Sequence, residues 1–146
     1  MHTDYENAWT YNEKPFTSDM IGRYFGFCYE ITNTLNGRMY IGRKVFWFKR
    51  KVKGKRNRKK TESDWKTYYG SSEEVQADVA KFGKDVFSRK ILSLHETKGR
   101  LNYHETKLLF TRGVLETYMP DGTLLYYNGN INGKWYAKHL SAMDEE

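Results

Sequence analysis

The chain has 146 residues, 25 Lys and Arg against 18 Asp and Glu, a net charge of +7, and one cysteine. That length fits one domain, 1–146, with a peripheral insertion, and argues against a two-lobed enzyme. The aromatic fraction of 16% excludes a disordered chain, and the lone Cys28 excludes an internal disulfide or multi-thiolate zinc site and fits a reducing compartment such as the cytoplasm.

Residues 1–22 show no sustained period and include Pro15, which predicts an irregular N-terminal arm. From Gly26 the text reads FCYEIT, NTLNG, RMYIG, a strand, a loop and a returning strand. A four-residue loop, 33–36, would set Tyr29 opposite Tyr40. A two-residue Asn36-Gly37 turn would set Tyr40 opposite Asn33. Either register has an odd index sum, so Tyr29 and Tyr40 share one face with Phe27 and Ile31. On the residues alone they are two core tyrosines.

The longest strongly apolar run, Val45 to Phe48, is too short to span a membrane. Then comes KRKVKGKRNRKK, with Lys or Arg at 49, 50, 51, 53, 55, 56, 58, 59 and 60. Without these nine, 16 basic residues face 18 acidic ones, so this segment carries the whole positive excess. Such density cannot be desolvated in a core, which predicts an exposed loop insertion over about 49–64. Its natural partner is a polyanion, bound with release of counterions. Lys49, Lys51, Lys53, Lys55, Arg56, Arg58, Lys59 and Lys60 are the candidate contacts to a nucleic acid.

Beyond it, Ser71-Ser72-Glu73-Glu74 resembles a capping box that opens a helix with Val75, Val79 and Phe82 as its apolar stripe and Gly83 as its stop. VFSRKILSL, 86–94, reads as a strand, and Lys98 to about Leu115 as a second helix ending near Gly113. A β-like stretch, 124–127, leads into YNGNING and an irregular C-terminal tail, 131–146. The order is β-β-α-β-α. On the second helix Leu101, Leu108 and Leu109 mark the inward stripe, and Glu105 falls on it, where a carboxylate needs a partner. It is either a metal ligand or acid/base at the bottom of a polar cleft, or a rim residue paired with Lys98 or Arg112.

Together, Tyr29-Glu30-Ile31, NTLNG and Tyr40-Ile41-Gly42 resemble the two signature strands of the GIY-YIG nuclease family. The resemblance continues through Arg50, ten positions after Tyr40, through YYGSS, FGKDVF, the helix bearing Glu105, and YYN ending at Asn128. It covers about residues 26–130, and the style is closest to phage homing endonucleases. It implies an α+β fold: a small, mainly antiparallel three-stranded sheet flanked by helices.

The family resemblance also implies a metal-dependent DNA endonuclease. Glu105 would hold one Mg²⁺ or Mn²⁺, Tyr29 would deprotonate or orient the attacking water, and Tyr40 would position water or substrate. Arg50 would contact the phosphate, with Arg43 competing for that role, while Tyr69 and Asn128 would support the site. The glycine of the first signature stands one position early, at Gly26, and the family's accessory histidines have no counterparts. A separate DNA-recognition domain is not expected after residue 130, so double-strand cleavage or strong specificity would call on a homodimer or another protein. The alternative is a nucleic-acid-binding module that keeps the fold without the chemistry.

Overall fold

A computed structural model describes residues 4–51, 53–54 and 58–143; the side chains of 50, 51, 58, 59 and 141–143 lie outside the description. The elements in order are β1 (Thr10–Tyr11), β2 (Lys14–Pro15), β3 (Gly26–Asn33), β4 (Met39–Val45), β5 (Trp47–Lys51), β6 (Arg58–Glu62), α1 (Glu73–Phe82), β7 (Phe87–His95), α2 (Lys98–Thr111), β8 (Asn130–Ile131), β9 (Trp135–Tyr136) and α3 (Ala137–Met143).

The fold is α+β, but its main sheet is larger than expected: five strands in the order β2-β1-β7-β3-β4. The antiparallel centre β4-β3-β7 is the anticipated three-stranded sheet, and the N-terminal arm adds the rest. The arm folds on itself as β1 and β2, and Thr10 pairs parallel to Lys90 of β7, making the sheet mixed. Two-residue strands have no readable period, and what holds them is tertiary. Arg89, 2% exposed, donates to the carbonyls of Glu6, Asn7 and Tyr68, and Trp9 Nε1 donates to the carbonyl of Trp65 at 2.7 Å.

The β3–β4 register pairs Ile31 with Tyr40 and Tyr29 with Gly42, between the two registers that loop chemistry suggested. The loop is Thr34 to Gly37, closed by Asn33 N–H to the Arg38 carbonyl at 2.8 Å, with Gly37 at φ 80. Because the index sum stays odd, Tyr29 and Tyr40 do share a face. It packs with Trp9, Phe27, Ile31, Phe46, Trp65 and Val75 of α1 into an aromatic core. The opposite face bears Ile41, which packs with Leu109 of α2, Val114, Tyr126 and Ile131.

Helix α1 begins where its capping box predicts, and α2 begins at Lys98 as expected, behind a cap that the sequence reading did not single out. Ser72 accepts from Val75 N–H at 3.3 Å and Thr97 from Arg100 N–H at 3.2 Å; Gly83 (φ 99) and Gly113 (φ 57) follow their ends. Phe82 is 39% exposed and so leaves the apolar stripe to Val75 and Val79. The basic segment is a hairpin rather than a loop, β5 pairing antiparallel with β6. The 124–127 stretch forms isolated bridges, and the tail forms the β8–β9 hairpin and α3.

Candidate active site

Strand β4 is an edge of the sheet, and the cleft lies along it. Most of that edge is closed. Met39 N–H donates to Leu125 O and its carbonyl accepts from Tyr127 N–H. Asn128, 6% exposed, then imitates a neighbouring strand: its Oδ1 accepts from Ile41 N–H at 3.0 Å and its Nδ2 donates to Ile41 O at 2.8 Å. Past Val45, whose carbonyl accepts from the Ser63 hydroxyl, the edge is closed again. The open stretch between these seals is Gly42 to Lys44.

Two adjoining cavities of about 420 and 320 Å³ meet there, sharing Tyr40, Arg43, Ser71 and Glu105. Tyr29 and Tyr40 reach the cleft from the aromatic face, and Arg43 and Glu105 reach it from the α2 face. Gly42 lets them meet, since a Cβ there would overlap the Tyr29 hydroxyl. Tyr29 is 1% exposed, its ring 6.2 Å from that of Tyr40 and 5.9 Å from that of Tyr68. Tyr40 lies with its hydroxyl 3.1 Å from the Ser71 Oγ.

Among the described residues, Glu105 is the one carboxylate lining either cavity. Its side chain is 12% exposed and accepts from Arg43 Nη1 at 2.9 Å. Its partner is thus neither Lys98 nor Arg112; Arg112 pairs with Glu30 at 2.8 Å. Burial raises the Glu105 pKa above the ordinary carboxylate value, and the Arg43 guanidinium opposes this only in part. Burial also raises Tyr40, and pushes Tyr29 well above the usual phenol value, reinforced by Tyr68 and Tyr40. Both phenols therefore hold their protons at neutral pH.

The cleft brings together Tyr29, Tyr40, Arg43 and Glu105, with Asn128 at its wall. Tyr69 is elsewhere: its hydroxyl accepts from Asn7 Nδ2 at 2.9 Å and its ring lies under Arg89, centroid 4.2 Å away. Its neighbour Tyr68 lines the cleft instead, with Lys44 Nζ 4.1 Å above its ring. Choosing between adjacent tyrosines depended on Arg89 gripping the Tyr68 carbonyl, a contact without a local signal. Ser71 was legible only as part of a cap.

Arg50 lies on β5 with its backbone opposite Lys59, and its side chain, like those of Lys51, Arg58 and Lys59, is outside the description. Lys55 and Arg56 lie outside the described residues altogether. Lys49, Lys53 and Lys60 are exposed. The hairpin departs at Phe46, directly after the open stretch of β4, so its root adjoins the cleft.

The cleft thus sets two tyrosines of one face of the sheet and a lone carboxylate, carried by α2 across the other, on either side of Gly42. Residues 9–131 match the family model described as "Putative endonuclease segE, GIY-YIG domain", and the chain belongs to that GIY-YIG family. No curated protein and no solved structure matches it. The family typically uses a divalent metal, and no group of three or more His, Cys, Asp or Glu that could hold one occurs among the described residues. Glu105 nevertheless fits such an ion as a single ligand. It is a hard oxygen donor whose buried charge a cation would relieve, beside a polar cleft roomy enough for water and phosphate oxygens to complete the shell. No helix among the described residues is long and apolar enough to cross a membrane.

Proposed function

We propose that the protein is a metal-dependent DNA endonuclease, of the phage homing type or a stand-alone nuclease, hydrolysing phosphodiester bonds in the cleft along β4. The observation that carries this reading is Glu105: a lone, largely buried carboxylate facing two phenols across a polar cleft, on a chain of a nuclease family. A pure binding module has no need to bury that charge.

Glu105 would hold the Mg²⁺ or Mn²⁺. Such an ion, when bound, neutralises charge on the phosphate and on the departing 3′ oxygen. Tyr29 keeps its proton, so it orients the attacking water by hydrogen bonding instead of acting as a free phenolate. Tyr40, fixed by Ser71, orients water or phosphate from the same side. Arg43 sits at the open edge, half exposed, where its planar donors suit the equatorial phosphate oxygens; Arg50 would serve the same charge from β5. Asn128 holds the Ile41 backbone and with it the β4 edge. The cationic hairpin docks the DNA.

The test is nicking of supercoiled plasmid in Mn²⁺ or EDTA, beside Glu105→Gln. Metal-dependent nicking lost in the variant supports the reading. Salt-sensitive binding without cleavage on duplex, single-stranded and branched DNA would replace it with the binding module.

A further inference from the structure

Outside the cleft, a set of titratable side chains rich in imidazoles and cations converges between β7 and α2. His95, ending β7, faces His104 of α2 with ring centroids 4.7 Å apart, and its Nε2 lies 2.8 Å from the Ser93 Oγ. The imidazoles share a cavity of about 360 Å³ with Arg100, Tyr103 and Lys107, and no carboxylate among the described residues lines it. Positions 100, 103, 104 and 107 form one helix face.

The acids next to the two histidines in sequence are already engaged: Glu96 pairs with Arg23, and Glu105 with Arg43. Arg38 and Arg112 also have carboxylate partners, and the buried Arg89 has carbonyls. Arg100 and Lys107 have no ion pair among the described residues. A concave surface of convergent cations and imidazoles without an acid is short of negative charge.

We propose that this cavity binds a phosphate group of a nucleic-acid strand that runs along α2 from the cleft. Two imidazoles alone could ligate a transition metal, but Arg100 and Lys107 beside them repel a cation and favour an anion. The guanidinium fork and imidazole N–H groups suit phosphate oxygens. Position favours a strand over a free ion. Arg100 precedes Glu105 by five residues, about 7.5 Å of helix axis. Gly26 pairs with His95 on one side and Val45 on the other, so the cavity stands at the sheet end where the basic hairpin is rooted. The inference rests on the nuclease reading of the cleft.

The test uses the full chain in EDTA, a fluorescent DNA duplex and a salt series. Replacing Arg100 and Lys107 together by Gln is expected to weaken binding and flatten the log–log salt slope by about 1, one phosphate contact being worth roughly 0.9. The charge-preserving pair Arg100→Lys and Lys107→Arg should keep the slope. In parallel, inorganic phosphate is titrated while the His95 and His104 ring signals are followed by NMR, which also reports folding of the variants. An unchanged slope with ring signals that move in phosphate overturns the strand assignment in favour of a small-anion site. An unchanged slope and still signals overturn the site. If the parent neither nicks plasmid in Mn²⁺ nor binds duplex, the nuclease reading itself fails. If it does both while the Gln variant keeps the slope, only the phosphate assignment falls.

Discussion

Arg43 donates from Nη1 to Glu105 Oε1 at 2.9 Å, from a half-exposed position to a side chain only 12% exposed. The pair joins the free edge of β4 to the middle of α2 and leaves the carboxylate only partly compensated, since its pKa stays raised despite Arg43.

A raised carboxylate pKa has a definite sign for stability. The folded state binds the proton more tightly than the unfolded state, so the contribution is complete below the unfolded value and is lost as pH rises through the folded one. In EDTA, Glu105→Gln should therefore gain on the parent as pH goes from about 4 to 7, while losing cleavage by about 100-fold or more. Mn²⁺ should stabilise the parent and not the variant. Denaturant unfolding at the two pH values checks this, and a variant that loses ground towards pH 7 would show that the carboxylate is structural.

Gly42 is required by the Tyr29 hydroxyl it faces. Gly42→Ala should cost about 1–3 kcal/mol by overpacking a closed site and should displace the phenol from the cleft. Tyr29→Phe removes the overlapping oxygen, so in the double variant part of the Gly42→Ala cost should disappear. Equilibrium unfolding of the four proteins gives the coupling. Strict additivity would mean that the two do not meet.

Much of this was legible because it is local or a matter of parity. Ser72 and Gly83 act within a turn of their helix, and the shared face of Tyr29 and Tyr40 survives any odd register. The register itself was not legible. Asn33 closes the loop with its Oδ1 on Leu35 N–H while its Nδ2 donates to the Tyr127 hydroxyl, 94 residues away. The same limit hid β1 and β2, which depend on Arg89 and Trp65, and it hid Tyr68 behind Tyr69. In the cleft, Glu105 announced itself as a charge on an apolar stripe. Its partner could not be named, because Arg43 meets it only once α2 crosses β4.

Asn128 supplies both hydrogen bonds that a neighbouring strand would give Ile41. Asn128→Ala leaves a buried donor and acceptor unmet and should cost about 2–4 kcal/mol. The Ile41 amide should lose hydrogen-exchange protection by more than amides in the middle of β3. Asn128→Asp keeps the acceptor and loses the donor, so Ile41 N–H should remain the better protected of the two variants. Equal protection in parent and Asn128→Ala would remove Asn128 from the edge.

The register of the basic hairpin sets Lys49 opposite Lys60, Arg50 opposite Lys59 and Lys51 opposite Arg58. Like charges directly across a ladder destabilise it, and a polyanionic ligand would relieve three such rungs in succession. Replacing Lys49 and Lys60 by Gln should relieve one rung while removing up to two phosphate contacts. Thermal stability at low salt should then rise or hold, while the log–log salt slope of duplex binding falls in magnitude by roughly 1–2. Added salt should narrow the stability difference, because screening relieves the same repulsion. Calorimetry beside anisotropy across a salt series measures both quantities on the same samples. An unchanged slope would take the hairpin out of the DNA interface and leave its charge to some other polyanion.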